Sequence, residues 1–409
     1  MVTMAGAMLL ALAAALLTGQ ALGRLGFPVP DARRRIGCLD GLRGYLALFV
    51  MLHHFDIWMN RAHAGTAWGG SSSRALANFG PGGVALFFMT TGIVFYPRIR
   101  AGLARVDWRK LYISRLFRIL PLQFVVIAVV AAISWRMAPD GHGTIAGNAG
   151  ALLRWMTSYG QPTLFGYADA HYVNAAVLWS LWYEWVFYFV VLPLMALARD
   201  LTASRLPSWV LPAGLLVIGL VAGPFAVGPL AADAPVRIPP VFFFLPLFAS
   251  GMIALDLGET RLKPVLASPA MAVVAAVALA AAVMFAPGPY GLPQLAAYAL
   301  FFACVANGNS FGGIFAWRGS VVLGEISFGI YLIHGVVLYG LFTFLLPQGA
   351  PGIAPYVGLI GTAITVVLLS AAAHLVIERP TITLGRVLGG GRRPPQGDGV
   401  GLSTADVAP

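Results

Sequence analysis

Residues 270–287 read AMAVVAAVALAAAVMFAP, with no charged and no polar side chain among them. At about 1.5 Å of rise per residue such a helix spans about 27 Å, close to the ~30 Å hydrocarbon thickness of a bilayer. The segment that follows, PQLAAYALFFACVAN at 293–307, has a largely apolar character too. So does the chain as a whole, since 59% of its 409 residues are hydrophobic and only 10% are charged. The mean hydropathy is +0.82. A soluble domain carries about 25% charged residues, and a globule of this size cannot be coated with so few. Disorder, collagen and coiled coil are excluded as well, because apolar residues dominate and neither a Gly-X-Y nor a heptad period is present.

The sequence therefore predicts an all-α, polytopic membrane helix bundle. Ten core transmembrane helices are expected near 42–59, 80–97, 119–135, 176–198, 208–226, 241–255, 270–287, 293–307, 321–345 and 355–377. An eleventh apolar segment, about 4–23, precedes them. It lacks the basic leader of a signal peptide, and its positive charges follow it, so it reads as an extra uncleaved helix. The expected organisation is an N-terminal hydrophobic helix within 1–30, a membrane domain over 36–385, and a Gly/Pro-rich, disordered cytoplasmic tail over 386–409. Two cysteines, Cys38 and Cys304, are too few for a disulfide framework.

The net charge of +11 would point to nucleic acid in a soluble protein. With 24–41 placed inside and the spans alternating, the inside segments hold twenty Lys and Arg and the outside loops five. That is the positive-inside pattern. The expected partner of the basic charge is the lipid bilayer of the cell inner membrane, with a cytoplasmic C-terminus and no nucleic acid. The basic stretch 98–118 carries Ile99, Leu103 and Val106 at helical spacing and is expected to lie on the inner surface as an amphipathic helix. The longest outside loop, about 136–175, is a candidate part of an acceptor site.

Ionisable groups inside a bilayer are expensive, so each is a functional candidate. They are Arg43, His53, His54, Glu184, His334 and His374, with Asp56 and Glu325 near helix ends. At about 1.5 Å per residue, His54 lies roughly 18 Å above the inner boundary and His334 about 20 Å. Glu184 lies roughly 12 Å below the outer boundary, which is the same level in a ~30 Å core. Arg43 and His54 stand eleven positions apart, three turns along one stripe of a helix, with Ala47 and Val50 between them. Arg43 at the inner end can hold an anionic group. His54, at depth, suits a general base. His53 points about 100° away, toward packing. These groups also admit a plainer role as interhelical glue.

The segment Leu39-Asp40-Gly41-Leu42-Arg43-Gly44, followed by His54, resembles the opening L-D-G-L-R-G and R-x10-H motif of the acyltransferase 3 family of transmembrane acyltransferases. Further blocks are similar to that family's in the same order. Gly80, Gly83-Val84, Leu86-Phe87-Phe88 and Thr91-Gly92 resemble its G-x-x-G-V-x-L-F-F-x-x-S-G block, and Arg115, Arg118-Ile119 and Pro121 its R-x-x-R-I-x-P block. Trp179-Ser180-Leu181, Glu184 and Phe187-Tyr188 resemble W-S-L-x-x-E-x-x-F-Y. Ile326 to His334 is similar to I-S-Y-x-I-Y-L-x-H, and Glu378-Arg379-Pro380 to a closing E-x-P. The departures are Thr91, where serine is usual, and Phe328, where tyrosine is usual.

The resemblance implies transfer of an acyl group, acetyl as a rule, from cytoplasmic acyl-CoA to a hydroxyl of an extracytoplasmic glycan or glycoside. It implies acetyl-CoA as co-substrate and no metal. Arg43, Arg115 and Arg118 would hold the donor, His54 would take the acceptor proton, and Glu184 would orient His54. His334, Thr91, Ser180 and Tyr188 would contact the acceptor or support the site. The sequence also admits a proton-coupled transporter or flippase built on the buried His and Glu residues. Gly308-Asn309-Ser310-Phe311-Gly312 matches a G-x-S-x-G nucleophile elbow, but in a chain of 48 glycines and without a strand before it, it reads as a loop.

Overall fold

The computed structural model describes residues 4–29, 37–138, 141–202, 206–225, 241–346 and 352–390. Arg33, Arg34 and Arg35, and the tail beyond Gly390, lie outside the described residues. The described chain is helical with no β-strand, and a helix covers each expected span. In chain order these are α1 Met4–Arg24, α2 Gly37–Ala64, α3 Arg74–Ala101, α4 Trp108–Met137, α5 Ile145–Met156 and α6 Trp179–Thr202. They continue as α7 Val210–Phe225, α8 Leu245–Gly258, α9 Pro269–Phe285, α10 Leu292–Ala306, α11 Arg318–Glu325, α12 Ser327–Leu345 and α13 Ala354–Leu388.

Six of them (α1, α3, α4, α6, α12 and α13) are long and apolar enough to cross a bilayer, and α7 to α10 contribute shorter apolar stretches. The helix α2 falls outside that set although it runs for 28 residues. Its Arg43, His53, His54 and Asp56 lower its hydropathy, and a helix so loaded is tolerated only where protein surrounds it. The expected span 321–345 is broken: α11 ends at Glu325 and α12 begins at Ser327. One π-turn interrupts each of α6 and α13, at Phe187–Val191 and His374–Glu378, and another ends α12 at Leu341–Leu345. The inserted residue of a π-turn rotates every later side chain, and such turns recur at functional sites.

The basic stretch 98–118 forms no surface helix of its own. The helix α3 continues to Ala101, one 3-10 turn covers Leu103–Arg105, and α4 starts at Trp108 with Asp107 as its N-cap. The Asp200 carboxylate accepts from the backbone N–H groups of Leu103 and Ala104, which pins the connection. Arg98 and Arg100 therefore sit at the end of α3, Arg105 in the turn, and Arg109, Arg115 and Arg118 on the first turns of α4.

Backbones approach closely where small residues allow it. Gly41 faces the Phe315 carbonyl, and Gly324 of α11 faces the Asp40 carbonyl of α2. In the same way Gly92 of α3 and Gly251 of α8 each lie against the partner helix's main chain, at Phe248 and Met89. Small-residue contacts of this kind drive helix association in lipid, where no hydrophobic gain separates helix from solvent. The helix α1 buries Ala7, Ala11, Ala15, Gly19 and Gly23, a stripe of small residues every fourth position, against α11 and α13.

Candidate active site

Six helices meet around a cavity of about 360 Å³, with α8 contributing Leu255. Arg43 comes from α2, Thr91 from α3, Arg115 and Arg118 from α4, Ser180, Glu184 and Tyr188 from α6, and Tyr331 from α12. Arg115 and Arg118 are three apart and share one helix face. Between the polar groups the wall is apolar, with Val84, Phe87, Phe88 and Leu181. The Arg115 guanidinium lies 5.2 Å from the Phe95 ring centroid, a cation–π arrangement that fixes the side chain. Glu184 accepts hydrogen bonds from Thr91 Oγ1 and Tyr188 OH, both at 3.3 Å. Arg115 and then Arg43 exert the main charge influence on it. Arginines line the part of the cavity nearest the start of α2 and α4.

His54 and His334 meet beyond the other end. Nδ1 of His54 and Nε2 of His334 are 3.0 Å apart, and the rings are near-parallel at 24° with centroids 5.1 Å apart. Nδ1 of His334 lies 3.0 Å from the Ile330 carbonyl oxygen. A carbonyl only accepts, so in the neutral ring that nitrogen carries the proton and His334 Nε2 is the acceptor. His54 Nδ1–H then donates to it. The lone pair of His54 is left on Nε2, where a general base needs it. His334 is fully buried, and its bond to Ile330, four residues earlier on α12, holds its ring plane.

Tyr331 joins the two regions. Its ring lines the cavity and lies 6.2 Å, edge to face, from His334. Its hydroxyl donates to the Val177 carbonyl at 3.0 Å and pairs with Ser180 Oγ at 2.7 Å. The cavity is thus lined by arginine at one end and ends, at the other, one aromatic ring away from the histidine pair.

The expected orienting partner of His54, Glu184, is elsewhere. It lies in the cavity wall between Thr91 and Tyr188, and His334 takes the place assigned to it. The expected equal depth fails for Glu184: Thr91, which bonds it, stands eleven residues beyond Gly80, against which His53 packs, so Glu184 lies roughly 16 Å from the histidine level, at the arginine end of the cavity. His53 bonds the Leu76 carbonyl at 2.7 Å and packs on Gly80, a helix-packing role. His374 lies between Glu325 and Glu378 at 3.8 and 3.9 Å. Glu378, 1% exposed, is also 3.7 Å from Arg118. Sequence reasoning left Glu378 without a role, although its place in the closing E-x-P block was a signal. Ser310 of the G-x-S-x-G match accepts from the Gly313 amide in the turn between α10 and α11. Among the described residues no cluster of His, Cys, Asp and Glu is placed to hold a metal.

Compared with known families, residues 36–374 match the acyltransferase 3 family model, described as an acyltransferase domain. The match leaves α1 and the Glu378-Arg379-Pro380 block outside. Comparisons with curated proteins and with solved structures return no match.

Proposed function

The chain belongs to the acyltransferase 3 family, and on that basis we propose that it moves an acetyl group from cytoplasmic acyl-CoA to a hydroxyl of an extracytoplasmic glycan or glycoside. The observation that carries this reading is the two-ended cavity. Three arginines, Arg43, Arg115 and Arg118, line it, and Tyr331 separates it from the His54–His334 pair. Arginine forks suit phosphate oxygens, and the apolar wall between suits a pantetheine arm.

In this reaction His54 Nε2 takes the proton of the acceptor hydroxyl as its oxygen attacks the thioester carbonyl. The new C–O bond forms, the C–S bond breaks, and the CoA thiolate leaves with a proton from the site. Positive charge gained by His54 is shared with His334 through their hydrogen bond, so the base is stabilised while it holds the proton. The CoA head group stays at the arginine end, and only its arm and acyl group reach the base. On the positive-inside bias of the sequence, the arginine end faces the cytoplasm.

Sealed vesicles of known orientation test this reading. Labelled acetyl-CoA is supplied on one side and a glycan acceptor on the other. Label should reach the acceptor only when the donor is on the cytoplasmic face, with one free CoA thiol per acetyl transferred. A transporter would leave the thioester intact, and that outcome would remove the acyl-transfer reading altogether.

A further inference from the structure

Outward of the histidine pair the functional stripe of α2 continues. Trp58 and Arg61 lie four and seven residues beyond His54, within about 40° of the same face. The Trp68 indole, in the link between α2 and α3, stacks on His54 at 6.3 Å with planes 19° apart. Trp68 also stacks on Tyr172 at 4.4 Å and meets Trp58 edge-on at 5.4 Å. The Arg61 guanidinium sits 4.6 Å from the Tyr172 centroid and pairs with Asp169 at 3.2 Å. A continuous stack therefore runs from the half-buried His54 through Trp68 and Tyr172 to a partly exposed ion pair.

This is unlike an interfacial aromatic belt, whose rings face lipid and headgroups. Trp58 is 8% exposed, and its ring neighbours are Trp68, Tyr339 and Phe342. Its indole N–H has no partner among the described residues, and neither has Nδ1 of the buried His171, whose ring lies 3.9 Å from that of Tyr172. Buried donors are almost always paired, so an unpaired one beside a catalytic base asks for a ligand. Trp68 is also placed to move. Gly65 and Gly69, at φ 61° and 96° with open space about them, flank it. Ser71 and Ser72 pin the far end of the link to the fully buried Asp56.

We propose that Trp58 and Tyr172 form the acceptor subsite, closed here by Trp68, and that the acceptor is a pyranoside ring that takes the position held here by the Trp68 indole. The sugar's C–H face packs on Tyr172, one hydroxyl faces His54 Nε2, and a second oxygen accepts from Trp58 Nε1–H. This rests on the acyl-transfer reading and adds to it the site and class of the acceptor. It also gives Trp68 a second effect. With no sugar bound, its ring covers one face of the half-buried His54 and limits the water there, which otherwise would hydrolyse the thioester to acetate and free CoA by the same proton transfer.

Two measurements test the subsite: CoA thiol release from acetyl-CoA by the purified full-length protein without acceptor, and O-acetyl content of cell-surface glycans by mass spectrometry. Trp68→Ala should release CoA about tenfold faster than wild type, while glycan O-acetylation falls because donor is lost to water. Trp58→Phe, which removes only the N–H, should lower glycan O-acetylation about tenfold, as loss of one buried hydrogen bond does, with the KM for acetyl-CoA unmoved. Normal glycan O-acetylation in both variants would overturn the subsite alone. So would a parallel rise in donor KM and fall in folded yield in both, because the rings would then be ordinary core. Wild-type protein that neither releases CoA nor acetylates glycans would overturn the acyl-transfer reading, and the subsite with it.

Discussion

His54 of α2 and His334 of α12, 280 positions apart in sequence, share one hydrogen bond of 3.0 Å. The bond has a direction, because His334 spends its other nitrogen on the Ile330 carbonyl. Its consequence is that the free lone pair of His54, the proposed base, is fixed on Nε2 by a neighbouring imidazole rather than by a carboxylate. An imidazole stabilises the protonated base less than a carboxylate does, but it adds no second buried negative charge to a membrane interior.

Replacing His54 by Ala should abolish transfer. Replacing His334 by Ala should leave a residual rate about 10²–10⁴-fold down, the usual contribution of a positioned acid–base group. His334→Gln, which keeps an acceptor oxygen near His54 Nδ1, should recover part of the loss. His53→Ala should keep much of the activity, since that ring bonds the Leu76 carbonyl and packs on Gly80. CoA release and membrane protein level, measured together, check all four. Equal losses in the His53 and His54 variants would end the assignment of His54 as the base.

Arg115→Ala or Arg118→Ala should raise the KM for acyl-CoA more than they alter acceptor use. Losing one charge-assisted hydrogen bond costs about 1.5–3 kcal/mol, or roughly 10–150-fold. A donor stripped of its phosphates, such as an acetyl-pantetheine thioester, should be used equally by wild type and variants. If both variants keep wild-type donor KM, the two arginines serve helix packing and the positive-inside charge pattern rather than donor binding.

Gly92→Leu or Gly251→Leu should destabilise the fold by driving α3 and α8 apart. Each glycine lies against the other helix's main chain, which cannot swing aside as a side chain can. Overpacking of this kind costs about 1–3 kcal/mol. Thermal unfolding in detergent should show a lowered midpoint for both, whereas Gly288→Ala, in open space, should match wild type.

The helix α1 should remain in the mature protein. Its buried Ala7, Ala11, Ala15, Gly19 and Gly23 pack on α11 and α13, and Gly19 faces the Gly319 carbonyl. Intact-mass spectrometry of protein purified from membranes reads this directly. A mass lacking the first two dozen residues would make the segment a leader.

The bundle itself was legible from composition and span length. A bilayer accepts only backbone satisfied within its own helix, so long apolar stretches have one answer. What pattern alone missed was local. The break between Glu325 and Ser327 and the π-turns at 187, 341 and 374 leave no mark on hydropathy. The surface helix expected over 98–118 dissolved into two helix ends because Asp200, a hundred residues away, binds the connection.

The sequence by itself determined which groups are available for chemistry, since few ionisable residues can be afforded at depth, and it placed Arg43 and His54 on one stripe because a helix has a fixed period. Only the tertiary structure decided their partners. His334 stands at the level of His54, whereas Glu184, bonded to Thr91 eleven residues beyond Gly80, lies roughly 16 Å nearer the arginine end. Distance along one helix gives depth only once the level of the helix end is known, and contact depends on which helices are neighbours and on how each is rotated about its axis. That rotation brings His334 to His54, Glu184 to Thr91 and Tyr188, and Trp68, from a link with no motif to announce it, onto the outer face of the base.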